Sequence, residues 1–323
     1  MTTEANASTS KNLFTQLRTE HVNNCVVTKS QVVVTGTGIC AASLFDNLPF
    51  KHRLRCKIAA LGSVVKNRWT CLRSGDDYFH LMNMWSSGYH HFLAEVLPKF
   101  ILFEEQIRNG LVLMPKCRPR FISEFLDEFG FDNIVETEGN VFIRNLTVVS
   151  NPHSGHYNPV HLQAIRDWTI SRTGFVPAKP GRKIYVTRRN ARARRVVNED
   201  EVIKKLEVRG FECLDLDNVG FREQVAIFSE CSEFVAIHGA GLTNAIFMPE
   251  GGSVTELFPV IKNRSKELNA CYERLCFANG LRHQYLFCER VQNSRHSSLD
   301  LDDIVVDSKA LDLKTGQIFY AER

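Results

Sequence analysis

Apolar spacing changes character along this chain. From about residue 25 to 80 it comes in short runs, Cys25–Val27, Gln31–Thr35, Leu54–Leu61 and Trp69–Arg73, which read as β segments. Gly36-Thr37-Gly38 between them reads as a tight turn. From Tyr89 the period lengthens: Phe92, Val96 and Phe103 share one helical side, and His91, Glu95 and Lys99 fall at helical spacing on another. Pro98 is expected to kink or restart that helix. Leu111–Met114 and Val141–Val149 read as strands, and Arg120–Phe129 and His161–Arg172 as helices. Two prolines and two glycines between Gly174 and Gly181 mark a domain boundary.

Beyond the boundary, strands are expected at Lys183–Thr187, Phe211–Leu216, Phe234–Ile237 and Val254–Phe258. Between the first two lies a helix with Asn198 as its cap, three acids in its first turn and Gly210 at its end. Phe221–Ser229 is the second helix, and a short one follows His238-Gly-Ala-Gly241. Strands alternating with helices predict an α/β fold with a parallel sheet. Ligands in such sheets bind beyond the carboxyl ends of the strands, where Thr187–Arg188, His238 and Glu256 fall.

Composition adds bounds. The chain has 323 residues, 44% hydrophobic and 24% charged, enough for about two domains of 100–200 residues each. No apolar run approaches the roughly 18 residues of a membrane span, and the polar start carries no signal core. The expectation is a cytoplasmic protein, or one peripheral at a membrane, with a trimmed lumenal domain as the alternative. The 10 cysteines form no C-x-x-C pair, which argues against zinc and for reduced thiols. Sequons at Asn6, Asn145 and Asn263 carry weight only in a secretory setting. Net charge is +4, and the seven basic residues from Arg182 to Arg195 more than account for it.

Three segments can carry chemistry. His238-Gly-Ala-Gly241 is either a steric glycine turn with a buried histidine or a diphosphate site of backbone N–H groups and imidazole. Glu256, on the next strand, sits where a carboxylate can meet a ribose hydroxyl. The arginines at 188, 189, 192, 194 and 195 are a solvated loop, an RNA-binding or targeting patch, or an anion clamp. The clamp is favoured because the run follows a strand and precedes a capped helix. His91 and Glu95, four apart on a helix, are a surface ion pair or a general-base pair.

Together these segments resemble glycosyltransferase family 61. The second half matches its pattern at Arg188, Arg195-Val-Val-Asn-Glu199, Gln224, His238 to Asn244, Phe247 to Gly251 and Glu256. Its N-terminal pattern, Asn-Tyr-x-His-Trp-Leu-x-Asp-x-Leu-Pro-Arg, is met by Gly88-Tyr-His-His91-Phe-Leu-Ala-Glu95-Val-Leu-Pro98-Lys99. The chain departs at Gly88, Phe92, Glu95 and Lys99. The resemblance implies a GT-B architecture, two Rossmann-like domains facing a cleft, and inversion without a metal or cofactor. The expected layout is an arm over 1–24, an acceptor domain over 25–174 and a linker over 175–181. A donor domain over 182–290 follows, then a tail over 291–323 returning to the N-terminal domain.

On this reading the donor is a nucleoside-diphosphate sugar, UDP-linked and carrying xylose, N-acetylglucosamine or a similar sugar, and the acceptor is a glycan, glycolipid or glycoprotein hydroxyl. Glu95 is the first candidate for the base, with His91 as partner or alternative. Arg188 and Arg195 neutralise the diphosphate. His238, Gly239, Ala240 and Gly241 stabilise the leaving group, Asn244 contacts the phosphates and Glu256 the ribose. No nucleic-acid partner is expected. The competing classes are a nucleotide-sugar-binding module without catalysis and an RNA-binding protein using the arginine run.

Overall fold

The computed structural model describes residues 17–73, 75–260, 269–291 and 302–315. The chain divides into two units, Met1–Trp168 and Thr169–Arg323. The division falls inside the helix Pro159–Thr173, ahead of the Gly/Pro-rich stretch where the linker was expected.

The first unit is a mixed sheet. Its antiparallel side joins β1 (Thr19–Val27), β2 (Val33–Thr35), β3 (Gly38–Ile39) and β8 (Asn140–Val149) in the order β3-β2-β1-β8. The hairpin turn between β2 and β3 falls at Gly36–Thr37, as the sequence predicts. Parallel strands then continue from β8 through β5 (Tyr78–His80), β6 (Leu111–Pro115) and β7 (Ile134–Thr137), while β4 (Trp69–Cys71) pairs separately with β8. β1 begins inside the expected arm because Val22 and then Cys25, Val26 and Val27 bury as the strand pairs with β8. Residues 1–16 of that arm lie outside the described residues.

One segment departs from its predicted type. Leu54–Leu61, read as β, lies within a helix over Phe50–Lys66. Its apolar residues at 54, 58, 61 and 65 repeat at helical spacing, and that period prevails over the local apolar run. From Tyr89 the chain runs through one α turn, a π turn at Phe92–Val96 and an α segment Leu97–Leu102, restarting beside Pro98. Phe92 and Phe100 on this segment meet Phe125 and Phe131 edge to face, and Trp168 lies tilted against Phe125 and Phe129. Each such ring contributes about 1.5–3 kcal/mol by burial, which anchors the helix bearing His91 and Glu95.

The second unit is a six-stranded sheet in the order β10-β9-β11-β12-β13-β14. The strands are β9 (Arg182–Val186), β10 (Phe211–Leu214), β11 (Cys231–Ile237), β12 (Ser253–Pro259), β13 (Arg282–Val291) and β14 (Asp303–Val305). All pairs are parallel except β13 with β14. The winding reverses between β9 and β11, so the crevice at their carboxyl ends is the topological switch point where open α/β sheets take ligands. The helix Glu199–Glu207 buries Val202 and Leu206 in a core with Tyr185, Val235, Leu257 and Ile304.

Two expectations meet a different arrangement here. The described part of the tail, 302–315, packs on this same unit: β14 adds to β13, and Leu311 reaches the core. Asn198 is the reason. Its amide side chain donates to Val306 O at 2.9 Å and accepts from Val306 N–H at 3.0 Å, pairing with the tail as a strand would. It therefore makes no capping bond to its own helix.

Candidate active site

In the first unit the site gathers where β5 ends. Lys99 is fully buried, and its Nζ donates to Leu81 O (2.7 Å), Val149 O (3.3 Å) and Asn151 Oδ1 (2.6 Å), tying the ends of β5 and β8 together. Burial lowers its pKa to about 7, with Glu95 opposing. Three residues past β5, Asn83 donates from Nδ2 to Glu95 Oε2 at 3.1 Å. Glu95 Oε1 accepts from Ser154 Oγ at 3.0 Å, and Oε2 also meets His91 Nδ1 at 2.9 Å.

This geometry orders the pair. Glu95 is 1% exposed and ringed by donors, whereas the His91 side chain is 28% exposed. A carboxylate so surrounded acts as an acceptor, so Nδ1 of His91 carries the hydrogen and Nε2 keeps its lone pair. Trp85, stacked on Phe45, stands 5.2 Å from the His91 ring and fixes its other side. Asn83 and Ser86 also line a cavity of about 600 Å3 at the ends of β5, β6 and β7, with Lys29, Lys116, Arg118 and Glu138 around it.

In the second unit the site forms at the switch point. Arg188 leaves β9 and His238 leaves β11. Glu199, 5% exposed, accepts from Tyr185 OH at 2.9 Å and from Arg188 N–H at 3.2 Å, which fixes the turn after β9. Arg194 holds a left-handed φ of 57°, sparsely populated by non-glycine residues, and donates from Nη1 to His238 O at 3.1 Å. A Cβ built on Gly239 would lie 3.6 Å from Nη1 of both Arg188 and Arg194. Both guanidinium groups thus converge on the Gly239 backbone, and the Nε of each is buried without a hydrogen-bond partner. Burial, reinforced by Arg194, lowers the Arg188 pKa from its ordinary value. Two cations held this close favour an anion between them.

His238 donates from Nδ1 to Glu256 Oε1, and His283 Nε2 meets Glu256 Oε2 at 2.8 Å. Glu256 is fully buried. Burial pushes its pKa up, but hydrogen bonds from His238 and His283 pull harder, and it settles below its ordinary value. The carboxylate therefore orients His238 and leaves Nε2 as the nitrogen for a ligand. Phe258 and Tyr272 edge the imidazole ring at 5.0 and 5.3 Å.

The site brings together Arg188, His238 and Gly239, with Ala240 and Gly241 opening a 3-10 segment, Ala240–Phe247, rather than an α-helix. The other expected contacts resolve differently. Arg195 pairs with Asp303 on β14 through Nε at 3.3 Å and Nη2 at 3.0 Å, so Arg194 takes its place beside Arg188. Asn244 is fully buried and donates to Gln224 Oε1 at 3.0 Å, bracing the segment from behind. Glu256 is 0% exposed with an imidazole on each oxygen, so it orients His238 and His283 from inside the fold and presents no accessible oxygen to a ribose. Sequence reading missed the placing of Arg194, since nothing ranks five neighbouring arginines, and missed His283 and Asn279. Asn279 donates to Ala245 O (2.8 Å) and Ile246 O (3.2 Å) and so holds the far end of the 3-10 segment.

Comparison with known proteins places these residues in a family. The Glycosyltransferase 61 model matches residues 89–255. An EGF domain-specific O-linked N-acetylglucosamine transferase of Drosophila melanogaster is 28% identical over 127 residues, 38% of this chain and 23% of the relative. Its Xenopus laevis counterpart is 28% identical over 152 residues, 45% of this chain and 27% of the relative. A protein O-linked-mannose beta-1,4-N-acetylglucosaminyltransferase 2 of Canis lupus familiaris is 32% identical over 97 residues, 29% of this chain and 16% of the relative. The match thus spans about a quarter or less of these relatives' own length.

Proposed function

This chain belongs to glycosyltransferase family 61 and is a glycosyltransferase, and from that premise we propose that it moves N-acetylglucosamine from UDP to a hydroxyl of a glycan or glycoconjugate, with inversion. The observation that carries the proposal is the convergence of Arg188 and Arg194 on the Gly239 backbone beside His238, at the switch point of the second sheet. The sugar is suggested by the relatives' names.

In the proposed step the acceptor oxygen attacks the anomeric carbon and gives its proton to His91 Nε2. The bond from that carbon to the β-phosphate oxygen breaks, and UDP leaves. Glu95 is the positioning residue: it holds the His91 tautomer and stabilises the imidazolium, as a carboxylate does behind a catalytic histidine. Arg188, Arg194 and His238 take up the charge that develops on the diphosphate, the role a metal plays in other transferases. The cavity beside Asn83 is the proposed acceptor pocket, and a GT-B arrangement of the two units is the architecture this chemistry calls for.

The RNA-binding reading has less to stand on, because Arg189 and Arg195 of the run each pair with an acid. UDP release measured with UDP-N-acetylglucosamine and hydroxyl acceptors tests the proposal. His91→Ala is expected to lower kcat by about 10²–10⁴ with donor affinity kept. Wild-type turnover in that variant would remove His91 from the role. A protein that binds the donor yet never releases UDP with any acceptor would establish the non-catalytic reading.

A further inference from the structure

The helix Phe50–Lys66 of the first unit wears large apolar side chains on its outside. Phe50 is 78%, Leu54 46%, Ile58 63%, Leu61 46% and Val65 85% exposed. At 3.6 residues per turn they share an arc of about 80°, a continuous ridge about 22 Å long. The inner side is a separate surface, where Cys56, Ala60 and Val64 pack on Val32, Val34 and Leu44. Exposed cations border the ridge on both flanks: Lys57 on one, Lys51 and Arg55 on the other, with Lys66 at the end. No acidic residue occurs in the helix.

Core packing explains the inner side alone. A ridge of apolar side chains flanked by cations is the pattern of helices that lie in a membrane interface. A second copy of this chain would set basic flank against basic flank. A rigid protein partner would need a groove rimmed with acids, whereas a fluid anionic lipid surface supplies both the apolar medium and the counter-charge. We propose that Phe50–Lys66 docks this protein on anionic membranes, with the ridge at the boundary of headgroups and acyl chains and the lysines and arginines on lipid phosphates and carboxylates.

Flotation of the full chain with phosphatidylcholine vesicles, with and without phosphatidylserine, is the test. Wild-type protein should float with the phosphatidylserine vesicles, far less with phosphatidylcholine alone, and less as salt rises. Leu54→Glu/Ile58→Glu should lose flotation, and Lys51→Glu/Lys57→Glu should weaken it about fivefold or more per cation removed. Both variants should keep the circular dichroism and UDP-release rate of the parent. Should the first variant unfold, the charge variant decides, since both its positions are exposed. Absence of wild-type flotation, or flotation undiminished in the folded variants, would overturn the proposal. A concentration-dependent dimer dissociated by Leu54→Glu/Ile58→Glu would assign the ridge to a second copy instead.

Discussion

Replacing Glu256 with Gln keeps the shape of the buried side chain and removes its charge. Two hydrogen bonds to charged groups, from His238 and His283, contribute about 1.5–3 kcal/mol each. Gln can still serve one imidazole as acceptor and the other as donor once one ring changes tautomer. The expected net loss is therefore about 2–4 kcal/mol at pH 7, below the roughly 3–5 kcal/mol of leaving a buried charge unpaired. At about 2–4 °C per kcal/mol the melting temperature should fall by roughly 5–15 °C. The pH dependence has a definite sign. The folded-state pKa of Glu256 is below its ordinary value of 4.5, so its contribution is complete above that pH and fades as pH falls through the folded value. The gap between parent and variant should thus be constant from pH 7 to 5 and narrow below 4.5. Because His238 loses its orienting partner, turnover should fall by about 10²-fold. Urea unfolding across this pH range, with UDP release at pH 7, measures all three. A variant within about 0.5 kcal/mol of the parent and equally active would refute the placement of Glu256 between the two imidazoles.

Other perturbations probe the first unit. His80 is fully buried, and burial, with Lys99 adding to it, lowers its pKa to about 4. Between pH 6.5 and 4 the unfolded chain takes a proton that the folded one refuses, so up to about 3 kcal/mol is lost as pH falls. Calorimetry of His80→Gln, which retains a donor for Gln31 O, should show that acid limb flattened. Cys117 is exposed and lines the cavity beside Asn83. With the other exposed thiol removed by Cys71→Ser, a bulky maleimide on Cys117 should raise acceptor KM on the order of tenfold, by displacing the acceptor from its productive pose. UDP affinity should not change, and an unaltered acceptor KM would place the acceptor elsewhere.

Much of the second unit was legible in the chain because its strands and helices are short, separately punctuated and uniform in period. Phe221–Ser229 begins and ends where its apolar spacing says it should. The Leu54–Leu61 error came from weighing an apolar run over its helical spacing. The site was legible as a set of residue types, not as partners. His91 and Glu95 meet as helical spacing requires, but which is the base depends on Ser154 and Asn83, brought in from distant strand ends. Arg194 rather than Arg195 faces Gly239 because of one left-handed residue and because Asp303, over 100 positions away, claims its neighbour. Such long-range pairings leave no periodic trace.

The central claim is that the second unit holds a sugar nucleotide between Arg188, Arg194 and His238. Thermal melting with UDP-N-acetylglucosamine and other UDP- and GDP-sugars tests it directly, since a ligand of the native state stabilises it by about 2.7 kcal/mol at a hundredfold excess over Kd. A UDP-sugar should raise the melting temperature of the wild type and of Arg195→Met alike, and should leave Arg188→Met/Arg194→Met and His238→Ala unmoved. The claim is contradicted if no sugar nucleotide shifts the wild type, or if the Arg188/Arg194 variant responds as fully as its parent.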